Sequence, residues 1–313
     1  MEQTKALVLL NMGAARSKEE LEEFLINMFN DKNILTIKSD FWRSKLASFI
    51  TSNRLDEAWK NYELIGGKSP LHETTDKLIY KLQNKISNYF IVPAMRYTKP
   101  FSFNAIEQIK EKNIKDIILL PLYPQYSTTT TKSSIEDFKK NINIDDNFNI
   151  KIIEPFYSNF LLNDIISDEI INHIDNNKDF NLIFSAHGLP QKVIANGDSY
   201  QIQIQEQVEL IKNNLKSKNI KFESISLAYQ SKVGPMQWLE PSLDNALKQF
   251  KDKKVLIYPI SFMIENSETN FELSIEYKEI AQEFGIKEYK VCSCPNDKDI
   301  TVDMIYKMVS EIE

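Results

Sequence analysis

An α/β fold of two similar, doubly wound halves is predicted by three observations. Eight short apolar runs alternate with helix-period segments along all 313 residues. These runs are nearly continuous in apolar residues, as parallel strands covered on both faces are. They also fall into two sets of four, and the third run of each set enters a similar phrase, Leu119-Leu-Pro-Leu-Tyr-Pro124 and Ile257-Tyr-Pro-Ile-Ser-Phe262. The division falls between the fourth and fifth runs, giving domains of residues 1–158 and 159–313, with the last helix free to pack back on the first.

The predicted strands of the first half are Ala6–Met12, Tyr89–Tyr97, Asp116–Tyr123 and Asn149–Tyr157. Between the first two, Ser17-Lys18-Glu19-Glu20 is a capping box that opens a helix. Trp42, Leu46, Phe49 and Ile50, with Phe41 alongside, follow at helical spacing. The second half offers Asn181–His187, Glu223–Ser231, Val255–Phe262 and Glu288–Cys292. Ligands of such sheets bind beyond the carboxyl ends of the strands, so the loops after Met12, Tyr97, Tyr123, His187, Ser231 and Phe262 carry the information, and two halves would form a cleft.

Composition narrows the function. With 42% apolar and 26% charged residues the chain is globular, and a net charge of −6 without a basic stripe argues against a nucleic-acid partner. Cys292 and Cys294 are too few and too close for a disulfide framework, which fits a reducing compartment and buried thiols. No targeting segment or membrane-length apolar run is present, so a cytoplasmic location is expected. Walker and Gly-x-Gly-x-x-Gly loops are missing, as is a Gly-x-Ser-x-Gly elbow, so neither a nucleotide cofactor nor α/β-hydrolase chemistry is expected.

Three histidines remain as candidates. His173 lies in a polar helix near Asp175 and Asn176 and reads as solvated, and His72 follows Ser69-Pro70-Leu71 at a helix start, where a structural role is the simpler reading. His187 ends a strand and precedes Gly188-Leu189-Pro190, so its imidazole is either a satisfied core group or a proton acceptor and metal ligand at the carboxyl edge. Glu268, Glu272 and Glu276, spaced i, i+4, i+8, align on one helix face. Such a line is either a solvated face or a route for protons or a cation.

Phe184-Ser-Ala-His-Gly-Leu-Pro190 followed by Gly197-Asp-Ser-Tyr200 resembles the ferrochelatase signature around its active-site histidine. Leu10–Gly13, Ile65–Pro70, Met95-Arg96-Tyr97, Tyr123–Ser127, Gln230–Leu239 and Glu268-Thr269 with Glu272 and Glu276-Tyr277 match in the family's order. The resemblance implies two Rossmann-like, chelatase-like domains facing a porphyrin cleft, and insertion of ferrous iron into protoporphyrin IX. It implies that His187 and Glu268 bind the metal and catalyse, and that Glu272 and Glu276 form an acidic proton or metal track. Met12, Arg54, Tyr62, Ser69, Arg96, Tyr97 and Trp238 match porphyrin-binding positions, though Trp238 reads equally as core packing. Iron is then substrate, no resident cofactor is expected, and the cysteine-bearing extension that holds an iron–sulfur cluster in some relatives is not matched.

Two departures stand out. Asn266 occupies the place of a second histidine, leaving His187 as the sole site imidazole, and Ser274 stands where an aspartate is common. The apolar stripe from Phe41 to Ile50 matches the lip of the porphyrin cleft in relatives, which implies peripheral contact with the inner face of a membrane; as residues alone it also reads as core. Another metal, coproporphyrin, or a non-catalytic porphyrin carrier are the competing readings, and oligomeric state is not encoded in these motifs.

Overall fold

A computed structural model describes residues 3–174, 179–232, 234 and 236–312. Asp175 and Asn176 beside His173, and Val233 and Pro235 within the Gln230–Leu239 phrase, lie outside the described residues. The chain divides into two compact units, one of Met1–Tyr123, Ser127–Glu154 and Asp297–Glu313, the other of Pro124–Tyr126 and Pro155–Asn296.

The first unit holds β1 (Lys5–Asn11), β2 (Tyr89–Met95), β3 (Asp116–Pro121) and β4 (Asn149–Ile152), all parallel, in the order β2-β1-β3-β4. The central strand explains its own sequence. Ala6, Val8 and Leu10 pack with Ile106, Ile109 and Phe138 in one core, while Leu7 and Leu9 point the other way and are equally buried. Helices α1 (Lys18–Phe29), α2 (Asp40–Leu64), α3 (Leu71–Lys85), α4 (Ser102–Glu111) and α5 (Ser133–Lys140) complete this unit's first part. Ser17 caps α1 by accepting the Glu20 N–H, one half of the predicted capping box; the Glu20 carboxylate accepts the Arg16 N–H instead of that of Ser17.

The second unit repeats the arrangement with β5 (Phe180–His187), β6 (Ser224–Gln230), β7 (Lys254–Pro259) and β8 (Glu288–Val291) in the order β6-β5-β7-β8. Its helices are α6 (Phe160–Asn172), α7 (Gln191–Ala195), α8 (Tyr200–Ser217), α9 (Leu243–Leu247) and α10 (Tyr277–Glu283). The final helix, α11 (Asp299–Ile312), packs on α3 of the first unit.

Repetition extends to single bonds. Both third strands end on a proline, which lacks a ladder N–H, and the next residue bonds back to the central strand. Thus Leu122 N–H donates to Leu10 O at 2.9 Å, and Ile260 N–H donates to Ser185 O at 3.0 Å. Beyond each third strand the chain enters a π-helical turn, Thr128–Lys132 in one unit and Glu268–Glu276 in the other.

Most predicted strands overrun the observed ones at their carboxyl ends. Tyr97, Leu122, Tyr123, Ile153 and Phe156 are buried although none is in a strand. Apolar residues in the turns above a sheet edge continue the run, and burial alone does not separate them from the strand.

The stripe on α2 is mostly not core. Phe41, Trp42 and Phe49 are 62%, 65% and 67% exposed, while Ile50 packs against the cluster around Leu21 and Leu25. No described helix is long and apolar enough to cross a membrane.

Candidate active site

Crossovers leave β1 and β5 in opposite directions, so the switch point of the second sheet lies between the carboxyl ends of β5 and β7. His187 is the last residue of β5, and the π-helical segment carrying Glu268 follows β7. There His187 Nδ1–H donates to Glu268 Oε2 at 2.7 Å. The pair is partly open, with the two side chains 37% and 27% exposed.

Glu272 joins the pair through β6. Ser231, just past that strand with a left-handed φ of 65°, reaches Glu272 Oε2 at 2.6 Å and Glu268 Oε2 at 3.0 Å through one hydroxyl. Gln230 Nε2 offers weaker bonds to the same oxygens at 3.3 and 3.4 Å. Its orientation is fixed because Ser185 Oγ donates to Gln230 Oε1 at 2.7 Å. Glu276, at the far end of the segment, is exposed. The line of three carboxylates read from spacing is therefore a graded one, running from a partly buried pair to solvent. Its helix is π rather than α, and Ser274 Oγ closes onto the Thr269 carbonyl five residues back.

Electrostatics divide the protons. Burial alone would lower the His187 pKa, but the charge and hydrogen bond of Glu268 outweigh it and raise the value above 6.5. Burial likewise opposes ionisation of Glu268, yet His187 and the Ser231 and Gln230 donors hold its carboxyl below the ordinary 4.5. At Glu272 the Ser231 donor and the His187 charge lower the value by less than its raising causes lift it. Burial and the Glu268 charge push it up to about 8. The pair thus favours a protonated His187 beside an ionised Glu268, and Glu272 favours its protonated form.

Asn266 is a cap, which accounts for its side chain in this chain. Its Oδ1 accepts the Glu268 N–H at 2.8 Å, and its Nδ2 donates to Ile264 O at 3.1 Å. Both amide atoms are thereby engaged in starting the segment that presents Glu268. Trp238 pairs by backbone with Pro190, and its ring lies over Gly188, where an added Cβ would stand 3.5 Å from Cε3 and only 2.6 Å from Gln230 O.

The remaining predicted positions lie in the first unit. Met12 is half-buried after β1, its carbonyl accepting the Tyr97 N–H at 2.9 Å. Arg96 donates to Ser133 Oγ at 2.9 Å and Asp31 Oδ2 at 3.1 Å, and lies 3.3 Å from Asp137 Oδ1. Tyr97 is fully buried and donates to the same Asp31 oxygen at 2.9 Å. Tyr62 and Ser69 are also buried; Tyr62 Oη accepts the Ala15 N–H at 3.5 Å, and Ser69 N–H donates to Ala15 O at 2.9 Å. Arg54 is half-buried with no hydrogen-bond or ion-pair partner among the described residues. Asp31 was not singled out by sequence reasoning. Its Oδ1 accepts the nearby Asn33 N–H, but the Oδ2 partners Arg96, Tyr97 and Ser133 lie 65 or more positions away, and no local pattern announces them.

Two histidines are structural. His72 Nε2 bonds to Ala14 O at 2.8 Å, and burial lowers its pKa. His173 ends α6 with Nδ1 on Glu169 O at 2.9 Å, so it is held at the helix end rather than merely solvated. Cys292 and Cys294 are buried thiols that form no disulfide, and no cluster of three or more His, Cys, Asp or Glu poised for a metal occurs among the described residues.

Comparison with known proteins gives a consistent answer. A family model described as ferrochelatase matches residues 4–312. Curated ferrochelatases similar to this chain include that of Nitratiruptor sp., 50% identical over 306 residues, covering 96% of this chain and 97% of the relative. That of Sulfurimonas denitrificans is 47% identical over 312 residues, covering 98% and 99%. Among solved structures, SirB from Bacillus subtilis with Fe3+ aligns with a TM-score of 0.61 at 10% identity, covering 99% of this chain and 95% of that one. At that identity the likeness shows the chelatase fold alone.

Proposed function

Because the chain belongs to the ferrochelatase family, enzymes that insert metal into porphyrin, we propose that it inserts ferrous iron into protoporphyrin IX to give protohaem. The observation that carries the reading is the 2.7 Å contact between His187 and Glu268 at the switch point of the second sheet. Ferrous iron takes a neutral imidazole and a carboxylate as ligands, so its arrival releases the proton the pair shares. Once the iron passes to the pyrrole nitrogens, the imidazole lone pair is free again to take up one of the two protons that must leave them. Glu272, pushed up to about 8 and one hydroxyl away, takes up and releases protons and hands them toward Glu276.

Porphyrin recognition falls to Met12, Arg54, Tyr62, Ser69, Arg96, Tyr97 and Trp238. Their contributions differ in kind. The unpartnered Arg54 guanidinium is suited to a propionate, whereas Arg96 and Tyr97, tied to Asp31, hold the loop after β2. Trp238 and Met12 supply apolar contact. No resident cofactor is needed, since two cysteines fall short of the four thiolates of an iron–sulfur cluster. Phe41, Trp42 and Phe49 meet the cytoplasmic membrane surface, which delivers an apolar porphyrin; lysine at Trp42 and Phe49 would then abolish sedimentation with phospholipid vesicles.

Anaerobic absorbance assays of iron insertion test the core of this reading. Wild type should metallate protoporphyrin, and His187→Ala and Glu268→Gln should each lose about 10²- to 10⁴-fold in kcat. A wild type that binds porphyrin but leaves it metal-free overturns the assignment, and preference for coproporphyrin or another metal revises the substrate.

A further inference from the structure

β5 outruns its neighbour. In the β5–β7 ladder the last pair is Ser185 with Pro259, and the final bond is Ile260 N–H to Ser185 O. Backbone groups two residues apart on a strand point to the same side, so the His187 N–H and C=O face the space β7 has left. Buried backbone groups need partners, and here hydroxyls supply them. His187 N–H donates to Ser261 Oγ at 3.0 Å, and Tyr200 Oη–H donates to His187 O at 3.0 Å. Ser261 Oγ and Tyr200 Oη lie 2.7 Å apart. Since the Tyr200 proton goes to the carbonyl, the Ser261 hydroxyl donates to Tyr200, and the ring closes with every member both giving and accepting.

We propose that Tyr200 and Ser261 are positioning residues for metal insertion, locking the end of β5 so that the His187 imidazole stays on Glu268. The inference rests on the reading of His187 given above. Two anchors from different elements, α8 and the turn after β7, constrain one peptide from both its polar ends. Burial keeps the Tyr200 phenol protonated, so it remains a donor throughout the working pH range. In a closed ring each bond polarises the next, and removing any member opens the whole.

Tyr200→Phe, Ser261→Ala, the double variant and Ser261→Thr test it. Each single variant should lower kcat about 10- to 100-fold, in the manner of residues that orient a metal-binding histidine. Porphyrin KM should stay within about twofold, the double variant should be scarcely worse than the poorer single one, and threonine should restore activity. Independently of turnover, the His187 ring resonance in ¹⁵N-histidine-labelled protein, identified by its loss in His187→Ala, should shift or broaden in both single variants while those of His72 and His173 stay put. An unmoved His187 signal overturns the proposal, as do simultaneous changes at all three histidines, which would mark a general loss of structure. An inactive wild type would refute the functional reading, while the resonance would still decide the positioning role.

Discussion

At Glu272, burial and the neighbouring Glu268 charge act in the same direction, and the Ser231 donor and the His187 charge offset them only in part. A folded-state value of about 8 against an ordinary 4.5 means that the native state keeps a proton the unfolded chain has released between those limits. The stability this group contributes is therefore complete below about pH 4.5 and lost as pH rises through about 8. Replacing Glu272 by glutamine removes the titration, so the melting temperature of the variant relative to wild type should climb from pH 5 to pH 8 and then level off. A constant difference across that range would mean that Glu272 is ionised throughout. Residues of this kind are half legible. Strand-end placement of His187 and the spacing of the glutamates were readable, but Ser231, which joins two of them, acquires its role only when β6 is laid beside β5.

The Glu268–Glu276 element was legible as a helix bearing carboxylates, but its π geometry was not. Hydrophobic periodicity reports which face is buried, while the five-residue closure is visible only in backbone bonds such as Tyr277 N–H to Glu272 O. Its start depends on Asn266, whose place in the sequence suggested a lost imidazole and whose contacts reveal a cap. Asn266→Ala should cost about 1 kcal/mol in urea unfolding, since the Glu268 N–H loses its acceptor. At the other side of the pair, Gly188 is required by space rather than by dihedral freedom. Gly188→Ala drives a methyl into Gln230 O and should destabilise by about 1–3 kcal/mol, the range of overpacked sites. Unfolding midpoints equal to wild type in either variant would contradict these contacts.

Across the whole molecule, the count of eight strands and their two sets of four were legible because buried parallel strands write themselves as apolar runs. Which strand lies beside which was not, since register needs partners distant in sequence. The path of the final helix is likewise a matter of packing. Lys81 and Lys85 pair with Asp299 and Asp303 of its first two turns, but exposed pairs contribute little. Val302, Met304, Ile305, Met308 and Val309, all buried, bind it to the first unit. Removal of residues 299–313 should abolish cooperative unfolding of that unit, whereas Lys81→Ala with Lys85→Ala should change stability by under about 1 kcal/mol, both readable by circular dichroism. The two units share strand order, proline stops and π turns, yet their equivalent strand ends are used differently. In the first, the loop after the central strand is welded down by His72, Ser69 and Tyr62; in the second, the equivalent strand end carries the only imidazole of the site. Rigidity at one strand end and reactivity at the other are thus divided between two like halves, and mutations at equivalent positions of the two should be tolerated very differently.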